Sequence, residues 1–191
     1  MSDRISEVVK NRLDALPEGL RQHIGRVEEV SAELAKIHGV SQAKVRLCAR
    51  AHDLCRAMKS DELLKTARDL EIPIHSVEES VPVLLHGPVA AELLKREGLN
   101  DDEVYQGIYH HSTACVGLEP VAKIVFLGDK LDPHKASRYP FLSRVRDMAV
   151  KNLNGALLEF LNQEIASLLK GGCLIHPSSL EARNDLLSRQ G

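Results

Sequence analysis

Aromatic residues are scarce in this chain and tryptophan is absent: Phe, Tyr and Trp together make up 3% of 191 residues. Strands draw on aromatic and β-branched side chains, so this scarcity, beside abundant Leu, Ala, Glu, Lys and Arg, predicts helices. An excess of one charge is missing too. With 25 basic and 27 acidic side chains the formal net charge is −2, which leaves no basic footprint for nucleic acid or an anionic membrane, and neither is expected as a partner. The longest apolar runs, Val81 to Leu85 and Ile124 to Leu127, are too short to span a bilayer, and Met1-Ser2-Asp3-Arg4 lacks the charged-then-apolar layout of a signal peptide. A soluble cytoplasmic protein is the expectation. The four cysteines, Cys48, Cys55, Cys115 and Cys173, form no CxxC pair, so reduced thiols are expected.

The remaining composition, 43% hydrophobic, suffices for one good core, and residues 1–191 read as a single domain. Capping residues, Pro and Gly divide it into helices. Ser2 caps a helix bearing Ile5, Val8, Val9 and Leu13, Pro17 opens a second that runs to Gly39, and Ser41 caps a third through Val45, Cys48, Ala49, His52 and Cys55. Ser60 starts a fourth that Pro73 ends, and Ile74 to Glu79 reads as a loop with His75 on the surface. A short turn at Pro82 leads to a helix from His86-Gly87-Pro88 to Gly98. The next begins at Asn100-Asp101-Asp102-Glu103, and another runs from about Glu119 to Lys130. His134 to Pro140 is a polar loop, Phe141 to Leu169 is helical with a break near Asn152 to Gly155, and Ser178 or Ser179 caps a final helix. No strand and no internal repeat is predicted, so the fold class is all-α.

Against this helical background a few polar residues fall at or beside apolar faces. His23 lies on the stripe Leu20, Ile24, Val27, Val30, Leu34 and Ile37, where a hydrogen-bonded core histidine and a metal ligand are both open readings. His52-Asp53 sits in the run Val45 to Cys55, and burying an imidazole beside a carboxylate there is costly unless a cation or another partner joins them. Arg56, one turn on, either enters the same cavity to meet an anion or is solvated. His86 starts a helix, where backbone N–H groups and the dipole collect anions, so phosphate or a second metal would suit it. His111 shares a face with Val104 and Ile108 while His110 points elsewhere, and Asp129 follows buried Val125 by one turn, with Gly128 beside it allowing close approach. Six such intrusions over five helices are how helical bundles build metal sites.

The pattern His23, His52-Asp53, Asp129 resembles that of the HD-domain metal-dependent phosphohydrolases, and the closer details are similar to the YqeK family within it. The matching pieces are Arg21-Gln-His23-Ile-Gly-Arg-Val27, Ala51-His52-Asp53-Leu54, Leu85-His86-Gly87-Pro88-Val89, Ile108-Tyr109-His110-His111-Ser112 and Ala122-Lys123-Ile124-Val125-Phe126-Leu127-Gly128-Asp129-Lys130-Leu131-Asp132-Pro133. They recur in order over about residues 20 to 190. The resemblance implies a single HD-domain helical bundle that splits diadenosine tetraphosphate symmetrically into two ADP with iron or a similar metal. Manganese, cobalt, nickel and zinc suit the same donors.

By the same resemblance His23, His52, Asp53 and Asp129 are metal ligands, Asp53, His86 and His111 are catalytic, and Arg56, His86, His110, His111, Lys135, Arg138, Ile175 and His176 contact the nucleotide. Two positions depart from the family pattern. His110 stands where the family often has Tyr, and its Pro-Asn-Arg loop becomes Pro133-His134-Lys135 with Arg138 further on, so Lys135 and Arg138 are alternative phosphate cations. Gly172 to His176 corresponds to the part that flanks adenine. One histidine of the pair can protonate a departing ADP. Competing readings are an HD hydrolase of a nucleoside monophosphate, deoxynucleoside triphosphate or guanosine tetraphosphate, a nucleotide-binding regulatory module, and a helical scaffold without a site. A homodimer is compatible with all of them.

Overall fold

The computed structural model describes residues 3–135 and 140–189. Its helices are α1 (Asp3–Asp14), α2 (Glu18–Ile37), α3 (Gln42–Ala51), α4 (Ser60–Asp69), α5 (Ser76–Ser80), α6 (His86–Arg96), α7 (Asp102–His110), α8 (Pro120–Lys130), α9 (Leu142–Ala149), α10 (Leu153–Lys170) and α11 (Pro177–Ser188), with 3₁₀ turns at Pro82–Leu85 and Pro133–Lys135. Among the described residues there is no strand, and no helix is long and apolar enough to cross a membrane. Ser41 caps as expected, its hydroxyl accepting from Lys44 N–H, and the Asp101 carboxylate accepts from Val104 N–H at the start of α7; at the expected break, the Asn152 side chain accepts from Gly155 N–H and caps α10.

α8 is the axis of the bundle. Val121, Ile124, Val125, Phe126 and Leu127 are fully buried along it, and it packs against α2, α3, α7 and α10. Phe126 meets Phe160 of α10 edge-on with ring centroids 5.6 Å apart, and deleting either ring would cost about 3–5 kcal/mol. At Gly128 a Cβ would lie 2.0 Å from the Ser31 hydroxyl, so the helix crossing of α8 over α2 depends on glycine there. That crossing sets the end of α8 on the Val27–Ser31 part of α2, one turn from His23.

Three boundaries differ from the sequence reading. Ile74 to Glu79, expected as a loop, contains α5: the His75 imidazole accepts from Val77 N–H while the Glu78 carboxylate accepts from His75 N–H, a capping box built on histidine instead of serine or threonine. α11 is likewise capped by His176, whose Nδ1 accepts from Ser178 N–H, and not by Ser178 or Ser179. Ser179 instead donates to the Thr113 carbonyl. Finally, α3 stops at Ala51, so His52 and Asp53 stand on the turns that follow it, with His52 still fully buried.

Candidate active site

Helix ends deliver most of the site. His52 and Asp53 follow α3, His86 opens α6, His111 follows α7, Asp129 is next to last in α8, and only His23 comes from mid-helix, in α2. His23 Nε2 lies 3.1 Å from Asp129 Oδ1 and 3.6 Å from Asp53 Oδ2. His52 Nε2 lies 3.6 Å from Asp53 Oδ2 and 3.8 Å from Asp129 Oδ1. On the far side of Asp53, its Oδ1 is 2.9 Å from His86 Nε2 and 3.5 Å from His111 Nε2. The six expected residues therefore converge on one centre. Two triads in it, His23 with His52 and Asp129, and His52 with Asp53 and His111, each hold their ligand atoms within 4.8 Å of one another.

The imidazoles face inward for a simple reason. A helix end leaves carbonyls without partners in the ladder, and Nδ1–H of His52 donates to the Ala49 carbonyl at 2.6 Å and that of His111 to Ile108 at 2.8 Å, while that of His86 donates to Val83 in the 3₁₀ turn, whose carbonyl also accepts from the His86 backbone N–H. Each acceptor lies three residues behind its histidine. With Nδ1 carrying the proton, each Nε2 presents a lone pair to the centre.

His52 Nε2 is buried and has no hydrogen-bond partner, and the nearest groups around it are carboxylate oxygens that cannot donate. A buried lone pair facing carboxylates is unfavourable until a cation lies between them, so the donor set fits a transition metal. His86 and His111 show the same shortage of positive charge, with their Nε2 atoms 2.8 Å apart and a proton needed between them.

Electrostatics agree with this assignment. Burial alone would raise both carboxyls, but His52, His111 and His86 hold Asp53 well below its ordinary range, and Lys130, His23, Lys135 and His52 do so for Asp129. Burial keeps two of the rings uncharged: it lowers His52, and it brings His111 down to about 4. Both carboxylates are thus ionised, and both of these imidazoles free to ligate, at neutral pH.

The outlying candidates divide. Lys135 reaches the centre, where its ammonium donates to Asp129 Oδ1. Arg56 lies on the surface and does not project into the cavity, because the chain has left the helix by that point. Arg138 lies outside the described residues. His110 packs half-buried on Tyr109 with centroids 4.6 Å apart, and burial, helped by the nearby His176, lowers it to about 4. His176 Nε2 is buried 3.6 Å from Glu78 Oε1, beyond hydrogen-bond reach, and Ile175 is half-buried beside it.

Three participants had no role in the sequence reading. Lys130 is 8% exposed and donates to Asp129 Oδ2 at 2.8 Å and to the His111 carbonyl at 3.2 Å, tying two sides of the centre together. Asp132 contacts His23, and Glu78 contacts the His176 region. Charged residues inside the otherwise apolar stretch 120–132 were the available sign for the first two. A cavity of about 660 Å³ between α1, α2 and α3, lined by Val9, Leu13, Leu47, Glu28, Arg46 and Arg50, shares none of the six convergent residues.

With that geometry in place, comparison with known proteins is specific. The HD domain family profile matches residues 20–134. The symmetrical bis(5'-nucleosyl)-tetraphosphatase of Halalkalibacterium halodurans is 32% identical over 92% of this chain and 92% of its own. Those of Bacillus subtilis and Staphylococcus aureus are 27% and 26% identical, over 87% and 90% of this chain and 88% of each of theirs. A crystal structure from Clostridium acetobutylicum, of a predicted HD superfamily hydrolase involved in NAD metabolism, superposes with a TM-score of 0.89 over 96% of this chain and 97% of its own. At 24% identity it bears on the fold alone. By the span of the domain match and by its likeness to the Halalkalibacterium halodurans enzyme, the chain belongs to the HD-domain family, alongside the symmetrical bis(5'-nucleosyl)-tetraphosphatases.

Proposed function

We propose that this chain, acting over residues 1–191 as one HD-type unit, hydrolyses diadenosine tetraphosphate symmetrically to two ADP. The observation that carries the reading is the electron-rich centre in which His52 Nε2, without a partner, faces Asp53 and Asp129. His23, His52, Asp53 and Asp129 would hold a transition metal there, iron being our choice over manganese, cobalt, nickel or zinc. A bound ion of this kind lowers the pKa of a coordinated water and offsets charge on phosphate oxygens.

The rest of the work falls to this chain's own side chains. His86 and His111, sharing one proton between Nε2 atoms 2.8 Å apart, can donate to a phosphate oxygen or protonate the departing ADP. Lys135, beside Asp129, supplies positive charge for the inner phosphates, and we keep Arg138 as the alternative. Arg56, exposed as it is, would have to swing inward to help. His110, Ile175 and His176 would border one adenosine. Each copy carries the whole ligand set, so assembly into a homodimer would leave the site's composition unchanged.

Reaction in ¹⁸O-labelled water, with the metal present as purified and the nucleotides resolved by chromatography, tests this reading. Two ADP, one of them labelled, is the expected result. AMP with ATP would refute the symmetrical cut, and cleavage of a mononucleotide with all dinucleoside polyphosphates left intact would assign the chain to another HD substrate class.

A further inference from the structure

We infer that Asp132, clamped by Arg26, aims His23 at the cation and sets how tightly the cation is held. Both act as positioning residues. His23 lies within α2, away from the helix ends that fix His52 and His111, and no carbonyl of its own helix holds its Nδ1. Its Nδ1–H donates instead to Asp132 Oδ2 at 2.6 Å, a carboxylate whose side chain is 2% exposed.

Asp132 is itself held on every side. Its Oδ1 accepts from Arg26 Nε at 2.8 Å and from His134 N–H at 3.0 Å, and its Oδ2 accepts from Arg26 Nη2 at 2.9 Å. With the His23 bond these contacts use about four lone-pair sites, the whole accepting capacity of a carboxylate. Asp132 therefore cannot turn toward the centre as a ligand; its one remaining effect there is through His23. Arg26 is three residues after His23 on the same helix face, so one turn of α2 provides both the ring and the clamp on the ring's partner. A carboxylate acceptor at Nδ1 makes Nε2 a stronger donor than a carbonyl does, and loss of such a partner typically costs 10- to 100-fold in metal affinity.

The inference rests on His23 being a ligand in the site proposed above, and the test separates the two. Full-length protein stripped with chelator is titrated calorimetrically with Mn²⁺ and with Zn²⁺. Asp132→Asn should weaken binding by about 10- to 100-fold, Arg26→Gln should weaken it by less, and Asp132→Glu should recover part of the loss. In the Zn²⁺-loaded wild type, the His23 Nδ1–H proton should exchange slowly and resonate far downfield, and Asp132→Asn should move it upfield.

Unchanged affinity in folded Asp132→Asn, with His23→Ala losing the ion, overturns the inference and leaves the site standing. Unchanged affinity in His23→Ala overturns the ligand assignment itself. Arg26 is 27% exposed, so its replacement yields a folded chain even if Asp132→Asn does not. Unaltered affinity and an unmoved Nδ1–H resonance in Arg26→Gln would equally overturn the inference.

Discussion

On one side of the centre, His52, His86 and His111 are fixed by carbonyls three residues behind them; on the other, His23 and Asp129 are fixed by Asp132, Arg26, Lys130 and Lys135. The first side is local in sequence and is held by neutral backbone carbonyls. The second joins α2 to the end of α8 across 106 to 109 residues and is built from ions. This difference separates two jobs. Of the carbonyl-held rings, His52 and His111 stay neutral because they are buried, which suits ligation, whereas the ionic side keeps Asp129 charged in spite of its burial, so that a cation is attracted.

The largest expected effect comes from breaking the join between the two sides. His52→Ala and Asp53→Ala should purify without metal and without turnover, as seen by elemental analysis and ADP release, because no neighbour can supply the same donor. Full metal occupancy in both variants would mean that the neutral side only fills space.

A smaller loss should follow on the neutral side alone. His86→Ala and His111→Ala should retain most of the metal and lose about 10²- to 10³-fold in turnover, since they act on phosphate charge more than on the ion. A metal-free His111→Ala protein would instead make it a ligand, as its place in the second triad allows.

The least effect should come from charges outside the centre. Glu28 sits between Arg50 and Arg46 at 2.8 and 2.9 Å on the outer faces of α2 and α3. Burial pushes its carboxyl up, but the two guanidinium groups outweigh burial and hold it below its ordinary value of 4.5. A depressed folded-state value stabilises above the unfolded value and is lost as pH falls through the folded one. Glu28→Gln should therefore lower Tm at pH 7 by about 1–4 °C, converge with wild type toward pH 3, and leave turnover intact. Altered turnover would show that charge is transmitted from this outer cluster to the centre.

The same division explains what could be read from sequence. Period and caps were enough for the all-α class, for His86 at a helix start and for Asp129 near the end of its helix, since those features are local, whereas His52 and His111 were read on helical faces and instead follow the last residues of α3 and α7. The caps of α5 and α11 were missed because histidine does there what Ser, Thr or Asp usually does. Helical spacing left Arg56 open between the cavity and solvent, and it is exposed because the helix stops at Ala51. Lys130 entered only as the end of its helix, and Asp132 as part of a motif without a task. Their partners lie far along the chain or in the carbonyl of His111, and no local periodicity reports such a pairing.

The anchoring of α11 has a further consequence, in the order of synthesis. His176 caps that helix beside Glu78, and Ser179 bonds the Thr113 carbonyl just past His111, so α11 closes against parts made much earlier. A chain leaving the ribosome N-terminus first has all the proposed cation ligands outside the tunnel before residues 172–179 follow. For that interval the Thr113 carbonyl, two residues past His111, lacks its bond from Ser179, and Glu78 lacks His176 beside it. A stop codon after α10 would make that brief state permanent.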